Sequence, residues 1–110
     1  MKDGELKYLL KVDNLPENKG VRLEIEDEDL AIFKIEGEIF ILSNICPHNH
    51  APQIYNGIIS KKSISCPLHN WQFDLKTGKT LNNNSNIKVY EYEIINGELF
   101  VKIPKRFGKW

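Results

Sequence analysis

Two short segments contain both cysteines and two of the three histidines of this 110-residue chain. The first is Cys46-Pro47-His48, and the second is Cys66-Pro67-Leu68-His69. A thiolate and an imidazole together suit zinc, copper or an iron–sulfur centre. If the four side chains bind one metal group, the fold must bring residues 46–48 and 66–69 together.

The cellular setting favours a metal over a disulfide. The polar N-terminus, Met1 to Glu5, has no apolar signal region and no twin arginine. No apolar stretch approaches the roughly 20 residues that cross a bilayer. We therefore expect a soluble, cytoplasmic protein that binds no membrane, and in that reducing compartment a lone cysteine pair indicates a metal or redox site. The formal net charge of zero gives no indication of nucleic-acid binding.

Short segments rich in Ile, Val, Tyr and Phe predict β-strands along most of the chain. The predicted strands are Leu6–Val12, Val21–Glu26, Leu30–Glu36, Ile39–Ser43, Val89–Ile95 and Leu99–Ile103. Glu36-Gly37 and Asn96-Gly97 predict tight hairpins, and Asn56-Gly57 and Thr77-Gly78 predict further turns. No long segment has helical periodicity.

These elements predict one all-β domain over residues 1–110, an antiparallel sandwich or partly open barrel. The part from about 44 to 80 is richer in Pro, Asn, Gly, His and Cys than its flanks and weaker in strand pattern. We interpret it as a loop-rich insertion that carries the functional residues, as loops often do.

Charge is unevenly distributed along the chain. We interpret the acidic run, which consists of Glu24, Glu26, Asp27, Glu28 and Asp29, as solvated surface. Between Asn44 and Thr80 the only acid is Asp74, whereas four lysines give a local charge of plus three: Lys61, Lys62, Lys76 and Lys79. This patch predicts a docking face that steers an acidic partner.

Zinc is the main alternative metal. A structural Cys2His2 zinc site uses the same four ligands and would make this a zinc-stabilised, non-redox interaction domain. Zinc sites usually pair cysteine with cysteine and histidine with histidine along the chain. A Cys-x-His half-site is not that pattern.

The two motifs, separated by seventeen residues, closely resemble the pattern of Rieske ferredoxins. The same resemblance includes further short matches, at Ala51-Pro52, Gly57, Trp71, Phe73-Asp74 and Thr77-Gly78. It implies one [2Fe–2S] cluster per chain, with Cys46 and Cys66 on the inner iron and His48 and His69 on the outer iron through Nδ1. Imidazoles replace thiolates on one iron in such centres, which raises the reduction potential above that of plant-type ferredoxins.

The resemblance implies an electron carrier that passes single electrons from a reductase to a terminal oxidoreductase. That partner is an oxygenase or, alternatively, the large subunit of an NAD(P)H-dependent nitrite reductase, whose small subunit this chain also resembles from Cys66 to Trp71. We expect no catalysis by the chain itself. Only His50 remains for a second iron site, and no Gly-rich dinucleotide fingerprint is present.

Several positions depart from the family pattern. Asn70 stands where glycine is frequent, and segment 82–86 has no proline. High-potential members have a serine two residues after the last histidine and a tyrosine four residues after it. Here those positions are Trp71 and Phe73, which supply no hydroxyl. The resemblance therefore predicts a low potential for a Rieske centre, while the role of His50 is left open.

Overall fold

The computed structural model describes residues 4–46, 52–66, 72–80 and 86–104. Within these residues the chain is all-β, as predicted, and its nine strands form three antiparallel sheets. The strands are β1 (Gly4–Lys11), β2 (Gly20–Ile25), β3 (Glu28–Ile35), β4 (Glu38–Ser43), β5 (Ile58–Ser60), β6 (Ser63–Ser65), β7 (Gln72–Asp74), β8 (Tyr92–Ile95) and β9 (Glu98–Pro104). Two short 3₁₀ helices, Val12–Asn14 and Ile54–Asn56, connect strands.

The strands join mainly through tight turns. The sheet orders are β1-β9-β8, β2-β3-β4 and β5-β6-β7. Glu36-Gly37 joins β3 to β4 with φ angles of 53° and 81°, and Asn96-Gly97 joins β8 to β9 with φ angles of 52° and 77°. Positive φ at both central residues is the mark of a type I′ turn, which matches the twist of a hairpin. Both predicted hairpins are confirmed.

The acidic run contains a third turn of this kind. Glu26 and Asp27 join β2 to β3 with φ angles of 51° and 69°. The next residue, Glu28, is buried, and its carboxylate accepts a hydrogen bond from the Tyr90 hydroxyl. Asp29 is half-buried and accepts hydrogen bonds from Arg22. The interpretation of the run as solvated surface is therefore wrong for Glu28 and Asp29.

The β2-β3-β4 sheet has a core on each face, because successive side chains of β3 and β4 point in opposite directions. One face contributes to what we call the basal core, whose buried members are Leu15, Leu30, Ile32, Ile39, Ile41, Tyr90, Leu99, Val101 and Ile103. The other contributes to the cysteine core, whose buried members are Ala31, Phe33, Ile35, Phe40, Leu42, Cys46, Ile54, Ile64, Cys66, Phe73, Leu75 and Ile87. Burial on both faces explains why β3 and β4 are almost continuously apolar.

All six predicted strands differ from the observed strands at one or both ends, five of them by only one or two residues. β1 ends at Lys11, because the chain turns into the 3₁₀ helix at Val12. The predicted strand Val89–Ile95 becomes a single bridge between Val89 and Leu42, followed by β8 from Tyr92. None of the helical segments in the described residues has the length and apolar character of a membrane span.

Gly20, at the start of β2, fits directly against the second 3₁₀ helix. A Cβ atom at Gly20 would lie 2.1 Å from the Tyr55 carbonyl oxygen and 2.9 Å from the Phe33 ring. Gly20→Ala is therefore expected to lower the free energy of unfolding by about 2 kcal/mol, the usual cost of overpacking. Denaturant unfolding measures it, with Gly37→Ala as control, since Gly37 has open space but a positive φ. A smaller loss for Gly20→Ala than for the control would contradict the packing argument.

Candidate metal centre

The predicted loop-rich insertion contains the third sheet. β5, β6 and β7 are each three residues long, and each has one residue facing inward at its centre. Those residues are Ile59, Ile64 and Phe73, which occur in a single cross-strand row. They pack in or against the cysteine core. The sheet thus attaches the insertion to the rest of the domain.

Cys46 and Cys66 occupy equivalent places at the ends of strands. Cys46 follows β4 after two residues, and Cys66 follows β6 directly. Both are fully buried, and neither is in a disulfide. Both belong to the same cysteine core, so the fold brings the cysteines of the two motifs into one cluster of buried side chains.

The two candidate histidines, His48 and His69, lie outside the described residues, as does His50. Their assignment as ligands therefore stays a prediction. The described cysteines fit a [2Fe–2S] cluster in two respects: they are not paired in a disulfide, and they are shielded from solvent as the resemblance implies for ligands of the inner iron. Thiolate and imidazole donors together match the ligand set of such a centre.

Phe73 is the nearest buried residue after the second motif among those that the structure describes. It is fully buried on β7, opposite Ile64 of β6 and within the cysteine core. Trp71, Asn70 and residues 82–85 lie outside the described residues. The structure therefore supports Phe73 as an apolar neighbour of the cysteines.

The sequence analysis missed Asn44, a fully buried polar residue two positions before Cys46. Its side-chain amide donates to Asp29 Oδ1 and to the Pro52 carbonyl oxygen, each over 3.1 Å. Its Oδ1 accepts from the Tyr55 backbone N–H over 2.8 Å. Every hydrogen-bonding group of the amide side chain is thereby satisfied. The only feature of the sequence that pointed to Asn44 was its place two residues before the first motif.

Arg22 on β2 holds the carboxylate that Asn44 contacts. Its Nε donates to Asp29 Oδ1 over 3.1 Å and its Nη2 donates to Asp29 Oδ2 over 2.9 Å. This two-point geometry is the strong form of an arginine–carboxylate pair. The hydrogen bond and the charge of Asp29 raise the pKa of the exposed Arg22 guanidinium above its usual value.

The four lysines of the predicted docking patch are all exposed. Lys62 Nζ lies 3.1 Å from Glu38 Oε1 of β4, which offsets its charge. The Asp74 carboxylate accepts hydrogen bonds from the backbone N–H groups of Lys76 and Thr77 and so caps the turn after β7. The patch is therefore less positive than its sequence indicates, and its free charge rests mainly on Lys61, Lys76 and Lys79.

Comparison with known proteins places this geometry in a family. The family model for the Rieske [2Fe–2S] domain matches residues 5–93. A ferredoxin component of naphthalene 1,2-dioxygenase/salicylate 5-hydroxylase systems from a Ralstonia species is 33% identical over 94 residues, which is 84% of this chain and 89% of that protein.

Two solved structures share the fold. Sphingomonas yanoikuyae B1 ferredoxin superposes with a TM-score of 0.81 at 27% identity, covering 91% of this chain and all of that one. A Mycobacterium tuberculosis protein described as an NADH-dependent nitrite reductase small subunit superposes with a TM-score of 0.87 at 19% identity, covering 96% of this chain and all of that one. At that identity the second likeness shows the fold alone. By its family model, its relatives and its two buried cysteines, this chain belongs to the Rieske [2Fe–2S] domain family.

Proposed function

We propose that this protein is the ferredoxin component of an oxygenase system, which receives electrons from a reductase and delivers them one at a time to the oxygenase. The observation that carries this proposal is the likeness to the Ralstonia ferredoxin component across most of both chains. Membership of the Rieske family makes the chain an electron-transfer protein. The proposal goes further by naming the type of partner and a cytoplasmic location.

Cys46 and Cys66 would hold the inner iron of one cluster per chain, and His48 and His69 would hold the outer iron. When bound, the cluster supplies a reversible one-electron couple at the metal. The described residues exclude water from the cysteine side, since both thiols are fully buried among apolar side chains such as Ile64 and Phe73. We propose that the chain performs no catalysis of its own.

Metal and sulfide analysis tests the cofactor. We expect two irons and two acid-labile sulfides per chain after anaerobic reconstitution, with a rhombic electron paramagnetic resonance (EPR) signal after reduction by dithionite. One zinc per chain with no sulfide would instead support the zinc-stabilised domain. The same sample gives both results, so the two hypotheses are separated in one measurement.

A nitrite reductase small subunit is the second candidate. The sequence from Cys66 to Trp71, with Asp74-Leu75 and Thr77-Gly78, resembles that group. Stopped-flow oxidation of the reduced protein distinguishes the two roles. Rapid electron transfer to a Rieske oxygenase component supports the first role, and rapid transfer only to a sirohaem nitrite reductase large subunit supports the second.

The lysine patch predicts a salt-dependent encounter with the partner. Replacing Lys61, Lys76 and Lys79 together by glutamine is expected to slow association about tenfold at low ionic strength, since steering by opposite charge accelerates association. Stopped-flow rates against salt concentration measure the effect. Lys11→Gln is the control, because Lys11 is exposed on β1 of another sheet. Rates independent of salt would contradict the docking assignment.

A further inference from the structure

Asn44, a buried residue, lies at the point where the chain leaves β4 towards the first motif. Ser43 is the last residue of β4 that pairs with β3, opposite Leu30. Asn44 extends the contact, because its backbone N–H donates to the Asp29 carbonyl oxygen over 2.8 Å. The chain then continues to Cys46. Asn44 is therefore the point at which the rigid β3–β4 hairpin ends and segment 45–51 begins.

The far end of that segment returns to the same residue. The Asn44 carbonyl oxygen accepts from the Ile54 backbone N–H over 3.3 Å. The Asn44 side chain bonds the Pro52 carbonyl oxygen and the Tyr55 backbone N–H. One fully buried residue thus ties both ends of segment 45–51, which includes Cys46 and the predicted ligand His48.

Two residues closer to the surface, Asp29 and Arg22, orient the side-chain amide of Asn44. Asp29 Oδ1 accepts from both Asn44 Nδ2 and Arg22 Nε, while Arg22 Nη2 binds the second carboxylate oxygen. A carboxylate held at two points by arginine cannot rotate away from the amide without breaking charge-assisted bonds. Arg22, Asp29 and Asn44 therefore form a continuous chain of hydrogen bonds from the surface of β2 to the start of the first motif.

We propose that Asn44, held by Asp29 and Arg22, is a positioning residue that fixes the backbone leading into Cys46 and thereby how Cys46 presents its sulfur to the cluster. This inference rests on the proposed function, because Cys46 is a ligand only if the cluster is bound. A buried amide that loses its partners is costly, so the arrangement has a single strongly preferred geometry. The network acts on the cluster through Cys46.

The test compares Asn44→Ala with Tyr90→Phe in the cluster-loaded protein. Tyr90→Phe is a matched control, because it removes a buried hydrogen bond to Glu28 in the basal core, away from the cysteines. Three quantities are measured: the melting temperature, the EPR g values of the reduced centre, and the rate of cluster loss in the presence of an iron chelator.

Both variants are expected to lower the melting temperature. Only Asn44→Ala is expected to change the g values and to accelerate cluster loss. The acceleration should be at least about tenfold, the factor that corresponds to one buried polar group left without a partner, because the Pro52 carbonyl and the Tyr55 N–H both lose theirs. If Asn44→Ala yields no folded protein, Asp29→Asn replaces it, since it keeps an acceptor for the amide and weakens only the arginine clamp. A smaller acceleration with altered g values is then expected.

If Asn44→Ala has the g values and the rate of cluster loss of the wild-type protein, the positioning role is wrong, while the proposed function stands. Equal acceleration in Tyr90→Phe would overturn it as well, because the effect would then follow global stability. A wild-type protein with zinc and no sulfide would instead overturn the proposed function itself. The three results differ, so the two hypotheses fail separately.

Discussion

Replacing Cys46 by alanine is expected to leave a protein that binds no normal [2Fe–2S] cluster. The side chain is fully buried in the cysteine core, and no other cysteine except Cys66 exists in the chain to replace it. We expect the same outcome for alanine at Cys66, His48 or His69. Visible absorption and iron content measure it, and Ser65→Ala, next to Cys66, is the control that should keep the cluster.

Thermal unfolding of the same variants distinguishes the stability lost with the cluster from the stability lost with the packing of the buried sulfur. Removing one buried sulfur costs about 1 kcal/mol, which corresponds to roughly 5 °C in a domain of this size. Metal binding is coupled to folding, so loss of the cluster should lower the melting temperature by more than that. An unchanged visible spectrum in Cys46→Ala would show that the ligand assignment is wrong.

The midpoint potential is expected to lie towards the bottom of the range of Rieske centres, roughly −150 to +300 mV. Hydrogen bonds to cluster sulfur stabilise the reduced, more negative state and so raise the potential. Phe73 stands where high-potential members have a tyrosine, and its buried ring has no donor. Protein-film voltammetry at neutral pH tests this, and a midpoint above about +150 mV would contradict the argument.

Phe73→Tyr is expected to raise the midpoint by about 40 mV. That is the shift produced by a hydrogen bond about 1 kcal/mol stronger in the reduced state, for transfer of one electron. Phe33→Tyr is the matched control, because Phe33 is also fully buried in the cysteine core but lies on β3. If Phe73→Tyr leaves the midpoint unchanged, the ring does not face the cluster.

The sequence predicted those elements whose signals are local. The turns at Glu36-Gly37 and Asn96-Gly97 were predictable because glycine and asparagine tolerate positive φ. The turn at Glu26-Asp27 has the same backbone but neither residue type, so only the structure reveals it. The strands β5, β6 and β7 escaped prediction since three residues are too few to establish an alternating pattern.

Contacts between residues far apart in the chain could not be predicted from the sequence pattern. Glu28 bonds Tyr90, and Asn44 joins Asp29 to residues 52–55. Nothing near these residues in the chain indicates their partners, because pattern reasoning assigns charged runs to solvent. The motif cysteines could be predicted, in contrast, since metal chemistry restricts residue type and spacing in a way that solvated surface does not.

Because the β2-β3-β4 sheet packs a separate core on each face, its strand register is strictly constrained. Leu30 and Ile32 of β3 lie in the basal core, whereas Ala31 and Phe33 lie in the cysteine core. A shift of β3 by one residue would exchange the two sets. Large aliphatic side chains would then crowd the cysteines, and the small Ala31 would leave a void on the opposite side. Misaligned folding intermediates would therefore be penalised twice, and a single inserted residue in β3 should be far less tolerated than one in a loop.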